Sequence, residues 1–211
     1  MNIILKNIGK RFNKEWIFRN IDFEFETGNN PASASKYAIL GSNGSGKSTL
    51  LQIIAGNISA TEGEIKWQMA DGRWQMDEFL FKNIAFASPY LELPEEMTWR
   101  EAVKFHGKFK KYTLFLKRED VISISGLSIS ANKEIRNFSS GMKQRAKLAL
   151  AILSHTPLLL LDEPCSNLDE NAVKWYQNLI AEYAKEKLVI VCSNYNKKEY
   201  SFCDKELLMS R

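Results

Sequence analysis

Apolar and polar residues alternate weakly over residues 2–8, a polar stretch GKRFNKEW follows, and Ile21, Phe23 and Phe25 then alternate with Asp22, Glu24 and Glu26. A period of two gives each segment one buried and one wetted face, so the chain is expected to open with an antiparallel strand pair. The segment TGNNPASAS, 27–35, is rich in turn formers and predicts an exposed, mobile loop. After it, residues 37–40 form a short apolar strand, a Gly/Ser loop follows, and TLLQIIAGN has helical spacing up to Gly56. Residues 64–86 hold two strand-like runs about the turn dipeptide Asp71-Gly72, with Trp67 and Trp74 on the arms.

The middle of the chain changes character. Pro89 and Pro94 punctuate a break, and residues 96–117 are charged, aromatic and permissive of helix. A helical sub-lobe over 88–136 is expected. Beyond Gly141, KQRAKLALAILS places Leu148, Ile152 and Leu153 on one face and basic residues on the other, predicting a helix that ends before Pro157. The buried strand LLLLD, a helix over about 171–185, the strand LVIVCSN and a short terminal piece complete an alternating pattern. Such alternation implies an α/β fold with a mostly parallel sheet covered on both faces.

Composition narrows the class. With 211 residues, 45% of them hydrophobic and 26% charged, the chain is expected to fold as one domain with a sub-lobe. Its apolar runs fall far short of the roughly 18 residues that span a bilayer, and the first residues lack the apolar core of a secretory signal, so a cytoplasmic location is expected. A net charge of +4 is too small and too scattered to announce nucleic-acid binding, and none is expected. Cys165, Cys192 and Cys203 lack metal-ligand spacing and read as thiols in a reducing compartment.

Chemistry concentrates in two motifs. Gly41-Ser42-Asn43-Gly44-Ser45-Gly46-Lys47-Ser48-Thr49 fits G-x-x-x-x-G-K-[ST] between a strand and a helix, the setting of a phosphate loop. The glycines let backbone N–H groups converge on phosphate oxygens at the positive end of the helix. Lys47 would reach the β- and γ-phosphates, and Ser48 would offer its hydroxyl to Mg²⁺. The run 158–163 ends in Asp162 and Glu163 at the carboxyl end of a strand, where open α/β sheets bind ligands. Asp162 suits a water-mediated contact to Mg²⁺, and Glu163 could polarise an attacking water.

Between the motifs lies Phe138-Ser139-Ser140-Gly141-Met142-Lys143-Gln144-Arg145. With this segment the chain resembles the ATP-binding-cassette (ABC) ATPases, P-loop NTPases with an N-terminal antiparallel β subdomain. The resemblance implies a catalytic core over 1–87 and 137–211 around the sub-lobe of 88–136. It further implies that residues 138–142 vary the LSGGQ signature, with Ser139 and Gly141 kept, to grip ATP bound to a second ABC subunit. Asp169, in Ser166-Asn167-Leu168-Asp169, would lie near the dimer seam, and Phe12 would stack on adenine, with Trp16 as rival and an ordinary core position as the alternative.

Two departures stand out. Pro89, or Ser88 with a slip of one residue, replaces the family's glutamine, so that metal contact there falls to water or Ser88. Asn194 replaces its switch histidine, and an amide can donate a hydrogen bond but carries no charge. The family implies MgATP hydrolysis coupled to a separately encoded transmembrane permease. A soluble ATPase of the iron–sulfur assembly type and a non-hydrolysing ATP-responsive clamp are the alternatives. Phe105, Phe109, Tyr112 and Phe115, interspersed with Lys104, Lys108, Lys110, Lys111, Lys117 and Arg118, are expected to form a packed aromatic stripe on a solvated helix, with a membrane- or partner-facing surface as the alternative. His106 is expected at the surface or in local packing, and His155 in a structural turn.

Overall fold

A computed structural model of the chain describes residues 1–28, 34–69, 72 and 80–210, and the backbone of 74–75. The dipeptide turn at Asp71 and most of the loop at 27–35 lie outside the described residues. In chain order the elements are β1 (Asn2–Phe12), β2 (Glu15–Glu26), β3 (Lys36–Leu40), α1 (Lys47–Ile54), β4 (Glu62–Gln68), β5 (Trp74–Gln75), α2 (Leu80–Asn83) and β6 (Ile84–Ala87). There follow α3 (Trp99–Phe109), α4 (Arg118–Ile124), α5 (Ser140–Ile152), β7 (Leu158–Asp162), α6 (Glu170–Tyr183), β8 (Leu188–Ser193), α7 (Lys197–Tyr200) and β9 (Lys205–Leu208).

Two sheets result. The larger has the order β6-β7-β8-β3-β9, with every neighbouring pair parallel. Its strands read as unbroken apolar runs because both faces are covered, and alternate residues enter different cores. Leu159, Leu161, Val189 and Val191 pack with α5 and α6. Leu158, Leu160, Leu188 and Ile190 pack with Leu50, Leu51, Ile53 and Ile54 of α1 and with Ile3, Leu5 and Phe25 of the second sheet. All four leucines 158–161 are fully buried, each contributing about 1.5–3 kcal/mol of transfer free energy.

The second sheet, β2-β1-β4-β5, is antiparallel and caps α1. Trp67 of β4 donates from Nε1 to the carbonyl of Ile54 at 3.0 Å, fixing the sheet to the end of α1. The opening strands run through the polar stretch expected to be a turn. Asn13, at φ 53°, allows a hairpin with only Asn13 and Lys14 between strands, and shifts of register absorb the irregular pattern. The second run expected before residue 86 is divided: β5 has two residues, and α2 then leads into β6 of the other sheet.

The segment 88–136 holds α3, α4 and three short 3₁₀ turns. Thr98 and Glu101 close a capping box at the start of α3, and Trp99 is wholly buried, its Nε1 donating to Ser125 Oγ at 3.2 Å. The aromatic stripe expected to pack does not. Trp99, Ala102 and Val103 form the buried face of α3, and at 100° per residue Phe105 and Phe109 fall to its side, 41% and 64% exposed. Phe115 is fully exposed, and Tyr112 alone of the four packs inward, donating to the carbonyl of Val103 at 2.8 Å. His106 stacks on Tyr112, as local packing requires, whereas the side chain of His155 is exposed and only its backbone N–H is engaged, donating to Lys111 O at 2.8 Å.

Candidate nucleotide site

The carboxyl ends of β3, β8 and β7 lie side by side, with Leu40 opposite Ser193 and Asp162 opposite Cys192. The phosphate loop, Asp162 with Glu163, and Asn194 therefore share one edge of the sheet, although they are scattered in sequence. Gly46 ends the loop at φ 92°, left-handed, and a Cβ there would come within 2.6 Å of the Phe18 ring and 2.7 Å of Ile17. Glycine is required on both counts, and the contact puts β2 against the loop.

Inside the loop, Lys47 is 4% exposed, and its ammonium donates to the carbonyls of Gly41 and Ser42 at 2.8 and 2.9 Å. Ser42, Asn43 and Gly44 are exposed at the loop tip, Ser48 and Thr49 are half-buried in the first turn of α1, and Ser45 Oγ is buried with no hydrogen-bond partner among the described residues. A buried hydroxyl left without a partner and an ammonium held only by loop carbonyls, both in one loop, fit a polar ligand.

Ser48 Oγ donates to Asp162 Oδ1 at 3.1 Å and Ser88 Oγ to Oδ2 at 3.3 Å. Burial pushes the Asp162 carboxyl above its usual range, the Ser48 hydroxyl opposes this, and Glu163 adds to it. A desolvated carboxylate held between two hydroxyls fits Mg²⁺, a hard cation that takes oxygen ligands and keeps several waters. Of the two replacements for the family's glutamine, Ser88 is the one that reaches the acid.

Glu163 follows at φ 41°, its backbone N–H donating to Cys192 O at 3.0 Å and its carboxylate accepting from Ser166 Oγ at 3.5 Å. Ser193, just before Asn194, donates to the buried carboxylate of Glu199, which also accepts from Cys165 N at 3.3 Å. Asn194 itself is exposed. The sequence did not single out Glu199; its apolar neighbour Tyr200 and the helical spacing to Asn196 were the only available signals.

The signature residues lie by the loop that follows β7. Ser139 caps α5, accepting from Met142 N at 3.2 Å, and a Cβ on Gly141 would meet Asn167 O at 2.9 Å. Asp169 caps α6, its Oδ1 accepting from Ala172 N at 2.7 Å. Phe12 is 47% exposed at the end of β1 beneath Lys10 Nζ, so it is no core aromatic; Trp16 is flanked by Arg11 and Arg19. Burial pushes the Cys165 and Cys203 thiols up to about 12, which leaves them protonated and inert.

A family model for ABC transporter matches residues 18–166, from β2 through the phosphate loop and signature to the turn after Glu163. The chain belongs to the ABC transporter ATP-binding family. An uncharacterised ABC transporter ATP-binding protein of Bacillus subtilis, YybJ, is 31% identical over 205 residues, 97% of this chain and 90% of that protein. The energy-coupling factor transporter ATP-binding protein EcfA1 of Thermotoga maritima is 33% identical over 177 residues, 80% of this chain and 63% of that one. Among solved structures, the ATP-binding cassette MJ0796, a dimer in a post-hydrolysis state bound to ADP and Pi, superposes with a TM-score of 0.78. It covers 99% of this chain and 94% of its own at 24% identity, which establishes the shared fold. As an ABC cassette the chain is a P-loop ATPase, and among its described residues no helix is long and apolar enough to cross a membrane.

Proposed function

We propose that this ABC cassette binds MgATP on the loop 41–49, closes head to tail on a second cassette, and hydrolyses ATP to drive a separately encoded transmembrane permease. The observation that carries the reading is the cluster of Ser48, Asp162 and Ser88 beside the caged Lys47 ammonium. When bound, Mg²⁺ would neutralise phosphate charge and polarise the γ-phosphoryl group. Ser48 and Asp162 would hold the ion. Lys47 would exchange its loop carbonyls for phosphate oxygens, Glu163 would take the proton of the attacking water, and Asn194 would donate an amide hydrogen bond to the γ-phosphate.

Ser139 and Gly141, at the N-terminal end of α5, would present backbone N–H groups to the nucleotide of the second subunit, with Asp169 at the seam. Residues 88–136 would form the sub-lobe that meets the permease, through the groove lined by Ala87, Leu91, Leu93, His106, Lys110 and Lys147. That arrangement would hold the protein at the cytoplasmic face of a membrane.

The test is the Glu163→Gln variant. It should hydrolyse ATP about 10²–10⁴-fold more slowly than the parent, the range for a lost general base, while light scattering shows its mass doubling on addition of ATP. A parent no faster than Glu163→Gln, yet still doubling in mass, would favour the ATP-responsive clamp. Lys47→Ala should bind no MgATP by calorimetry, and undiminished affinity would overturn the nucleotide site.

A further inference from the structure

The strand β6 ends at Ala87, and the two residues after it stand where the family's glutamine is missing. Pro89 has no N–H with which to anchor this turn. The turn is closed locally by Leu91 N, which donates to Ser88 O at 3.2 Å, and one side chain from another element reaches both carbonyls: Lys147 Nζ, on α5, donates to Ser88 O at 3.1 Å and Pro89 O at 2.9 Å. Ser88 is 4% exposed, and its hydroxyl donates to Asp162 Oδ2 at 3.3 Å while accepting from Tyr90 N at 3.3 Å. Further along the same segment, Lys143 pairs with Glu95. The helix that begins with the signature thus grips residues 88–95 at both ends, and a hydrogen-bonded chain runs from Lys147 through Ser88 and Asp162 to Ser48.

We propose that Lys147 is a positioning residue for the divalent-cation site, fixing the Ser88-Pro89 backbone so that Ser88 Oγ orients Asp162 beside Ser48. The proposal rests on the reading of Ser48 and Asp162 as the metal site. A positioning role and a purely electrostatic one have opposite signs. An ammonium repels a cation, so its removal would tighten metal binding if charge alone mattered. Loss of an outer-shell support weakens metal binding, typically tenfold or more.

Mn²⁺ is the probe, titrated into the full chain with ADP and followed by the electron paramagnetic resonance signal of free Mn²⁺. Lys147→Met and Ser88→Ala should each weaken Mn²⁺ binding about tenfold. The double variant should be no weaker than either single one, because both break the same chain of contacts. Lys147→Arg, which can still donate to two carbonyls, should restore binding, and ADP affinity in EDTA should be unchanged throughout. Lys147→Gln serves in the same comparison if the methionine variant fails to fold. Mn²⁺ binding by Lys147→Met as tight as in the parent, or multiplied losses in the double variant, would overturn the proposal. Failure of the underlying reading looks different: the parent itself would bind Mn²⁺ no better than Asp162→Asn.

Discussion

Ser48 and Asp162 stand 114 positions apart in sequence, yet the hydroxyl of one donates to the carboxylate of the other at 3.1 Å. The bond joins the first turn of α1 to the end of β7 across the carboxyl edge of the sheet. It cannot fully offset the burial of the acid, whose affinity for protons stays raised.

That imbalance predicts the behaviour of Asp162→Asn. Because the folded state holds the proton more tightly than the unfolded chain, stability falls as pH rises from the usual carboxylate value through the raised one. At neutral pH the metal-free parent therefore bears a penalty. Asp162→Asn should be more stable than the parent by about 1 kcal/mol without metal. With ADP present, addition of Mg²⁺ should raise the denaturation midpoint of the parent further but not that of the variant. Thermal unfolding with and without ligands checks both statements.

Asn194 stands exposed beyond β8, with Ser193 anchored to Glu199 behind it. Asn194→Ala should lower kcat by the equivalent of about 1–2 kcal/mol, as for a hydrogen bond to a charged group. The pH–rate profile of the parent should have no site-histidine limb near pH 6–7, and Asn194→His should introduce one. A histidine-like limb in the parent would contradict the assignment.

Phe12 presents its ring to solvent, whereas Trp16 is flanked by two arginines. Phe12→Ala should weaken ATP binding by about 1–3 kcal/mol, the worth of a base–aromatic stack, and leave tripolyphosphate binding unchanged. If Trp16→Ala produces that difference instead, the adenine lies on the other ring. Calorimetry with the two ligands decides.

His106 stacks on Tyr112 at 5.7 Å between ring centroids, and its Nδ1 is buried with no hydrogen-bond partner among the described residues. Burial, aided by Lys110, lowers its pKa to about 4. The unfolded chain then binds the extra proton below about pH 6.5, so this contribution to stability is lost as pH falls from 6.5 towards 4. Over that window the parent should lose on the order of 2–3 kcal/mol relative to His106→Phe. Urea unfolding of both proteins at pH 7 and pH 4.5 measures the difference, and parallel curves would refute it.

The strand-loop-helix conformation around 41–49 was legible in the sequence because its signals are local. Gly44 and Gly46 take positive φ and Lys47 opens α1, features that a nine-residue window contains. The parallel sheet was equally legible, since strands covered on both faces must be apolar at every position, as 158–161 and 188–192 are. Local signals failed where a residue's environment is made by distant elements. The pattern of α3 could not show that Phe105 and Phe109 turn to its exposed side, because the buried face was chosen by α4 and α5 packing on Trp99 and Val103. The sequence marked the loss of a glutamine near Pro89, but only the tertiary structure supplied Lys147, two turns into a helix that begins about 50 residues later. A hydrogen bond needs its partners within about 3 Å in space and places no condition on their separation along the chain. Motifs carried by neighbouring residues can therefore be read in advance, whereas supports carried by the fold appear only with it.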